Sequence, residues 1–151
     1  MMEFSLENES GLAIDAAWLE QCARVICEGE GRGRDCEVNI LLCGDEEIRR
    51  YNLQYRGDNS VTDVLSFGYL EEPGGDIRAG VQPMVCDIII DIKQVDRQKG
   101  FNTLEQELME IFIHGLLHGF GYDHIRSRDR ELMNEKERDY KQMMVGTPQR
   151  G

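Results

Sequence analysis

All three histidines of the 151-residue chain fall within one stretch, His114-Gly115-Leu116-Leu117-His118-Gly119-Phe120-Gly121-Tyr122-Asp123-His124. His114 and His118 are spaced i, i+4, so on a helix both imidazoles share one face. Gly121 then supports the turn that returns the chain and brings His124 toward the pair. A lone histidine on a helix is usually a hydrogen-bonded core residue. Three at this spacing form a metal clamp of three nitrogens, His114, His118 and His124. Neutral imidazoles suit zinc, and three protein ligands leave one coordination position open, the pattern of a catalytic rather than a structural ion. One zinc ion there lowers the pKa of water to about 7 and polarises a substrate oxygen.

The order His-x3-His-x2-Gly-x2-His is similar to the metzincin zinc-protease motif, with one difference: Gly115 stands where those proteases carry their glutamate base. The metal cradle is kept and the proteolytic base is missing, which counts against a peptidase. Glu107 and Glu110 precede His114 by two turns and one turn, so either could orient an imidazole through its second nitrogen. A solvated helical face is the alternative, above all for Glu110. Asp123, beside His124, is a candidate partner in the same sense or simply a turn residue.

The elements that must position these residues are legible in outline. Residues 3–8 form a short edge strand, and a packing helix follows over 16–28, with Asp15 as N-cap, Trp18, Cys22, Val25 and Ile26 on one face, and Gly29 as its stop. The charged segment 29–35 is a loop. Residues 37–43 alternate as a strand, and Gly44-Asp45 opens a helix with acids in its first turn, arginines later, and Ile48, Tyr51 and Tyr55 as its core stripe. Residues 62–67 form a second strand, 71–83 an exposed acidic flap, and 85–92 a strand buried on both faces. A short helix over 92–99 ends at Gly100. Thr103-Leu104-Glu105-Gln106 is a capping box that starts the metal helix at Leu104, with Leu104, Leu108, Ile111 and Phe112 on its apolar face. Ser127 caps a last helix whose apolar residues are Leu132, Met133, Tyr140, Met143 and Met144. The expected fold is α+β: a small mixed sheet packed with helices, zincin-like, with the metal helix central. One metal-dependent hydrolase domain spans 1–145, and 146–151 form a disordered tail.

Lys and Arg total 17 against 29 for Asp and Glu, a formal net charge of −12 that argues against nucleic acid held on a broad basic surface. A polyanionic substrate must therefore be gripped locally. Cys22, Cys27, Cys36, Cys43 and Cys86 are odd in number and lack a Cys-x2-Cys pair, which suits small buried hydrophobes in a reduced cytoplasm. No signal sequence opens the chain and no apolar run reaches membrane-spanning length, so the expectation is a cytoplasmic protein without a membrane partner.

With these residues set out, the histidine stretch strongly resembles the signature of the bacterial YbeY family, endoribonucleases also described as ribosomal RNA maturation factors. Arg56, Thr62-Asp63-Val64-Leu65-Ser66-Phe67, Asp87-Ile88-Ile89-Ile90 and Glu107-Leu108 fall in the same order, so the resemblance covers about residues 37 to 137. It implies zinc on His114, His118 and His124, a functional arginine at Arg56, cleavage of single-stranded RNA in 16S ribosomal RNA 3′-end maturation, a role in ribosome quality control, and small-subunit components as partners. Gly68 replaces a usual proline and Cys86 a usual glycine, and the second difference places a side chain where a backbone could otherwise approach the site. By composition alone Arg56 is a solvated charge at a helix end. The resemblance favours a guanidinium that grips phosphate in two places and stabilises developing charge. Thr62, Asp63 and Ser66 either line the pocket or cap and pack a strand. A metal-dependent peptidase and a non-enzymatic, zinc-stabilised ribosome assembly factor are the alternatives, the latter because an acidic surface suits basic ribosomal proteins.

Overall fold

The computed structural model describes residues 2–31, 36–70, 84–122 and 127–145. The flap expected over 71–83, the tail over 146–151, part of the 29–35 loop, Asp123 and His124 lie outside the described residues. Within them the chain runs β1 (Glu3–Asn8), α1 (Trp18–Gly29), β2 (Cys36–Cys43), α2 (Asp45–Arg56), β3 (Val64–Leu70), β4 (Met84–Asp91), α3 (Ile92–Gln98), α4 (Leu104–Gly119) and α5 (Ser127–Val145). The architecture is α+β, with a four-stranded mixed sheet in the order β1-β2-β4-β3. β1, β2 and β4 are parallel, and β3 runs antiparallel along the open edge of β4.

Strand alternation assigns each side chain to a face. Phe4 and Leu6, Val38, Ile40 and Leu42, Val64, and Cys86, Ile88 and Ile90 join the main core with α1, α4 and α5. The register aligns these side chains in rows, Phe4 with Val38 and Cys86, and Leu6 with Ile40 and Ile88. Leu41, Cys43, Leu65, Phe67 and Ile89 face the opposite way and meet Ile48 and Tyr51 of α2. As expected of a strand inside a sheet, β4 is buried on both faces.

The capping box of α4 is present: Thr103 Oγ1 accepts from Gln106 N at 3.1 Å, and Gln106 Oε1 accepts from Thr103 N at 2.8 Å. This fixes the helix start and hence the phase of the histidines. The buried stripe of α4 lies further along than the sequence pattern indicated. Leu108, Phe112, Ile113, Leu116 and Leu117 are buried, while Leu104 and Ile111 are only partly covered.

Several local expectations are corrected. Asp15 does not cap α1; the N-cap is Ala17, and Asp15 sits two residues earlier, where its carboxylate accepts from Ala17 N at 3.4 Å. The left-handed residue after α1 is Gly31, with φ 76°, and Gly29 is still helical. Tyr55 is 57% exposed, its ring resting on Tyr51 and Phe67, and Asn52 takes the buried position, donating to Ser60 O at 3.0 Å. Leu132 and Met143 of α5 are likewise exposed, leaving Met133, Tyr140 and Met144 as its buried stripe. All five cysteines are buried and none is in a disulfide, as small hydrophobes would be, with Cys27 Sγ 2.8 Å from Cys36 Sγ.

Candidate active site

The i, i+4 spacing on α4 brings His114 and His118 together. Their Nε2 atoms face each other at 3.1 Å and the rings meet edge to face. Both imidazoles are half-buried. Nδ1 of His114 lies 3.1 Å from Oε2 of Glu137 on α5. A proton on Nδ1 donates to that carboxylate, which leaves the Nε2 lone pair directed at the space shared with His118. Two imidazole lone pairs aimed at one point can hold a cation. Among the described residues no three His, Cys, Asp or Glu side chains cluster for a metal, the third histidine of the motif being outside them.

The backbone that carries these rings is seated on the sheet by very close packing. Ser66 Oγ donates to Gly115 O at 2.5 Å. A Cβ on Gly115 would stand 3.1 Å from Val64 Cγ2 and 3.5 Å from Ile88 Cγ2, so this position faces β3 and β4. Packing alone therefore favours a small residue where a zinc protease has its glutamate. Further along, a Cβ on Gly68 would collide with the Gly119 carbonyl, and one on Gly119 would stand 2.8 Å from Cys86 Sγ. Gly68 and Cys86 thus meet the end of α4 at one point, where Gly119 makes room for the thiol and Gly68 admits the helix backbone.

The helix exit is tied down as well. Tyr122 Oη donates to Glu30 Oε1 at 2.6 Å, Tyr140 Oη donates to Glu30 Oε2, and Lys136 Nζ lies 3.3 Å from the same oxygen. Burial works to raise the Glu30 pKa, but the hydrogen bonds from Tyr122, Tyr140 and Lys136 outweigh it and hold the carboxyl below its ordinary 4.5. Burial, followed by the Glu30 contact, raises the Tyr122 pKa in turn. One carboxylate so links the end of α1 to α5 and to the residue just before Asp123-His124.

The other sequence candidates are placed elsewhere. Glu107 accepts from Asn102 Nδ2 at 2.9 Å and from Gln98 Nε2 at 3.3 Å, while Glu110 accepts from Asn102 at 3.0 Å and pairs with Lys141 at 3.0 Å. Asp63 accepts from Gln98 at 3.0 Å, a packing role beside the end of β4. Arg56 ends α2 with its guanidinium 5.9 Å from the centre of the Phe67 ring, and Phe67 in turn meets Tyr55 at 5.3 Å. Phe67 and Val64 point to opposite faces of β3, so Arg56 and the α4 histidines stand on opposite sides of this edge strand. The residue that sequence reasoning missed is Glu137. Its signal was present: Met133, Glu137, Tyr140 and Met144 share one helical stripe, and an acid within an apolar stripe calls for a buried partner.

The sequence matches the family described as Endoribonuclease YbeY over residues 5–144. The chain belongs to this family of endoribonucleases. A relative of that name from Pelotomaculum thermopropionicum is 34% identical over 85% of this chain and 87% of its own length. One from Bacillus velezensis is 35% identical over 89% of each. The solution structure of a Thermotoga maritima protein is similar with a TM-score of 0.61 at 30% identity, covering 97% of this chain and 90% of that one. YbeY enzymes are thus hydrolytic nucleases on a mixed α+β fold, here with a four-stranded sheet and five helices. No helix of the described residues is long and apolar enough to cross a membrane.

Proposed function

We propose that this YbeY-family chain is a zinc-dependent endoribonuclease specific for single-stranded RNA, acting in 3′-end maturation of 16S ribosomal RNA and in ribosome quality control in the cytoplasm, on a zincin-like site. The observation that carries the reading is the pair of Nε2 atoms, His114 and His118, converging at 3.1 Å in a member of an endoribonuclease family. That separation is close to the spacing of about 3.3 Å between two nitrogens bound to one tetrahedral zinc. Both donors are imidazole, the ligand type zinc favours, and His124 follows the α4 exit turn as the third. A zinc ion held by His114, His118 and His124 would supply Lewis acidity toward a phosphodiester.

The chain's own groups do the remaining work. Arg56 stands across β3, where a guanidinium can grip a phosphate of the bound strand in two places. In a protein of net charge −12 this local grip replaces a basic surface. Tyr55, 57% exposed beside Phe67, offers a ring on which an unpaired base can stack, the mode that distinguishes single-strand recognition. Position 115, turned toward Val64 and Ile88, speaks against a peptidase that would need its base there.

Zinc-loaded protein is expected to cut a single-stranded RNA spanning the 3′ end of 16S ribosomal RNA, and His114→Ala and His118→Ala to remove the activity when purified identically. Equal cutting by these variants would overturn the assignment. A catalytically dead variant that restored ribosomal RNA processing in cells would instead favour a non-enzymatic assembly factor.

A further inference from the structure

We propose that Glu137 is a positioning residue for His114, holding its imidazole so that Nε2 is presented, with the correct tautomer and orientation, to the ion shared with His118. The proposal rests on the zinc reading above and extends it to a residue on a different helix.

Three observations carry it. Glu137 occupies the buried stripe of α5, between Met133 and Tyr140, both of which are in the core. A carboxylate there loses hydration, and the position favours an apolar side chain unless a partner compensates. The partner is present: Oε2 stands 3.1 Å from His114 Nδ1, with the two side chains 26% and 30% exposed. The bond lies on the ring nitrogen away from His118, whose Nε2 meets the other nitrogen of His114 at 3.1 Å. An imidazole that binds a metal through one nitrogen is ordinarily fixed by a carboxylate or carbonyl at the other, which sets the tautomer and makes the ligand more basic.

The neighbouring charges do not take over this role. Glu110, one turn before His114, is engaged by Lys141 at 3.0 Å and Asn102 at 3.0 Å. The Glu110–Lys141 pair is a second polar bridge between α4 and α5 and does not include the imidazole. It therefore separates a positioning role from ordinary helix-to-helix packing.

The test compares wild type, Glu137→Gln, Glu137→Ala, Lys141→Ala and His114→Ala. Zinc affinity is measured by competition with a chromophoric chelator, the visible spectrum is recorded after cobalt loading, and the melting temperature is taken without metal. Glu137→Ala should weaken zinc binding about 10- to 100-fold and shift the cobalt bands. Glu137→Gln, whose amide oxygen still accepts from Nδ1–H, should lose less. Lys141→Ala should keep wild-type zinc affinity even where its metal-free melting temperature falls as far as that of the Glu137 variants. The proposal is overturned if both Glu137 variants bind zinc as tightly as wild type while His114→Ala does not; the zinc reading then stands. Equal weakening in Lys141→Ala also overturns it, since packing would then explain the effect. Folded wild type that binds no zinc would overturn this proposal and the zinc reading together. Should Glu137→Ala fail to fold, the Gln variant and its cobalt spectrum decide.

Discussion

Gly119 at the end of α4 lies directly beneath Cys86 of β4, so closely that a Cβ on the glycine would stand 2.8 Å from the sulfur. The sheet and α4 are held in register here by the absence of one side chain opposite the presence of another. Gly119→Ala should destabilise the fold by about 1–3 kcal/mol from overpacking, less the roughly 1 kcal/mol that alanine gains in a helix. Cys86→Ala, which removes the sulfur, should relieve part of that loss. Urea unfolding of the two single variants and the double variant measures the coupling, expected at about 1 kcal/mol. Strict additivity would show that the contact carries no strain.

Glu30 should make stability depend on acid pH. Its folded pKa is below 4.5, so its contribution is present above that value and is lost as pH falls through the folded pKa. Melting temperatures across pH 3 to about 6 should therefore fall at the acid end. Glu30→Gln should flatten that dependence, and Tyr122→Phe should cost about 1–2 kcal/mol by removing a hydrogen bond to a charged acceptor. An unchanged acid limb in Glu30→Gln would contradict this role.

Asp91 should act in the opposite sense. It is fully buried and caps α3 by accepting from Lys93 N at 3.0 Å. Burial first, and then the hydrogen bond and charge of Asp45, push its pKa up from 3.8 to about 7. Because the folded pKa is raised, the stability it contributes is full below 3.8 and is lost as pH rises through about 7. Asp91→Asn stays neutral and can still cap the helix. The variant should gain on wild type in melting temperature between pH 4 and about 8, and a constant difference across that range would refute the assignment.

On the proposed role of Arg56 as a phosphate grip across β3 from the histidines, Arg56→Ala should weaken RNA cleavage mainly through KM, by about tenfold or more. Arg56→Lys keeps the charge but loses the planar fork and the contact over Phe67, so it should recover only part of the loss. Steady-state kinetics on a short single-stranded RNA separates the two parameters. A pure kcat effect would place Arg56 at the reacting phosphate instead.

Much of the frame is written locally. The Thr103 capping box, the alternation of Val38, Ile40 and Leu42, and the i, i+4 histidines each depend on neighbouring residues only, and each is found where its pattern indicates. What was less legible depends on how elements cross. Tyr55 lies on the apolar stripe of α2 yet is exposed, resting on Tyr51 and Phe67 at the rim of the sheet face instead of inside the core. Glu107 has the right phase for His114 but is drawn to Gln98 at the end of α3 and Asn102 in the turn before α4. Glu137 reaches the imidazole from 23 residues downstream, a contact set by the α4–α5 crossing and marked in the sequence only by an acid in an apolar stripe. The meaning of Gly115 also changed, since Val64 and Ile88 supply a packing reason for it that composition could not.

The most direct test of a zinc nuclease on this chain is a titration of metal-stripped protein with zinc, following bound metal and cleavage of a single-stranded RNA together. Cleavage should rise in proportion to zinc up to one ion per chain, and should be absent in His118→Ala at every zinc concentration. Undiminished cleavage by the stripped protein, or the same zinc response from His118→Ala, would contradict it.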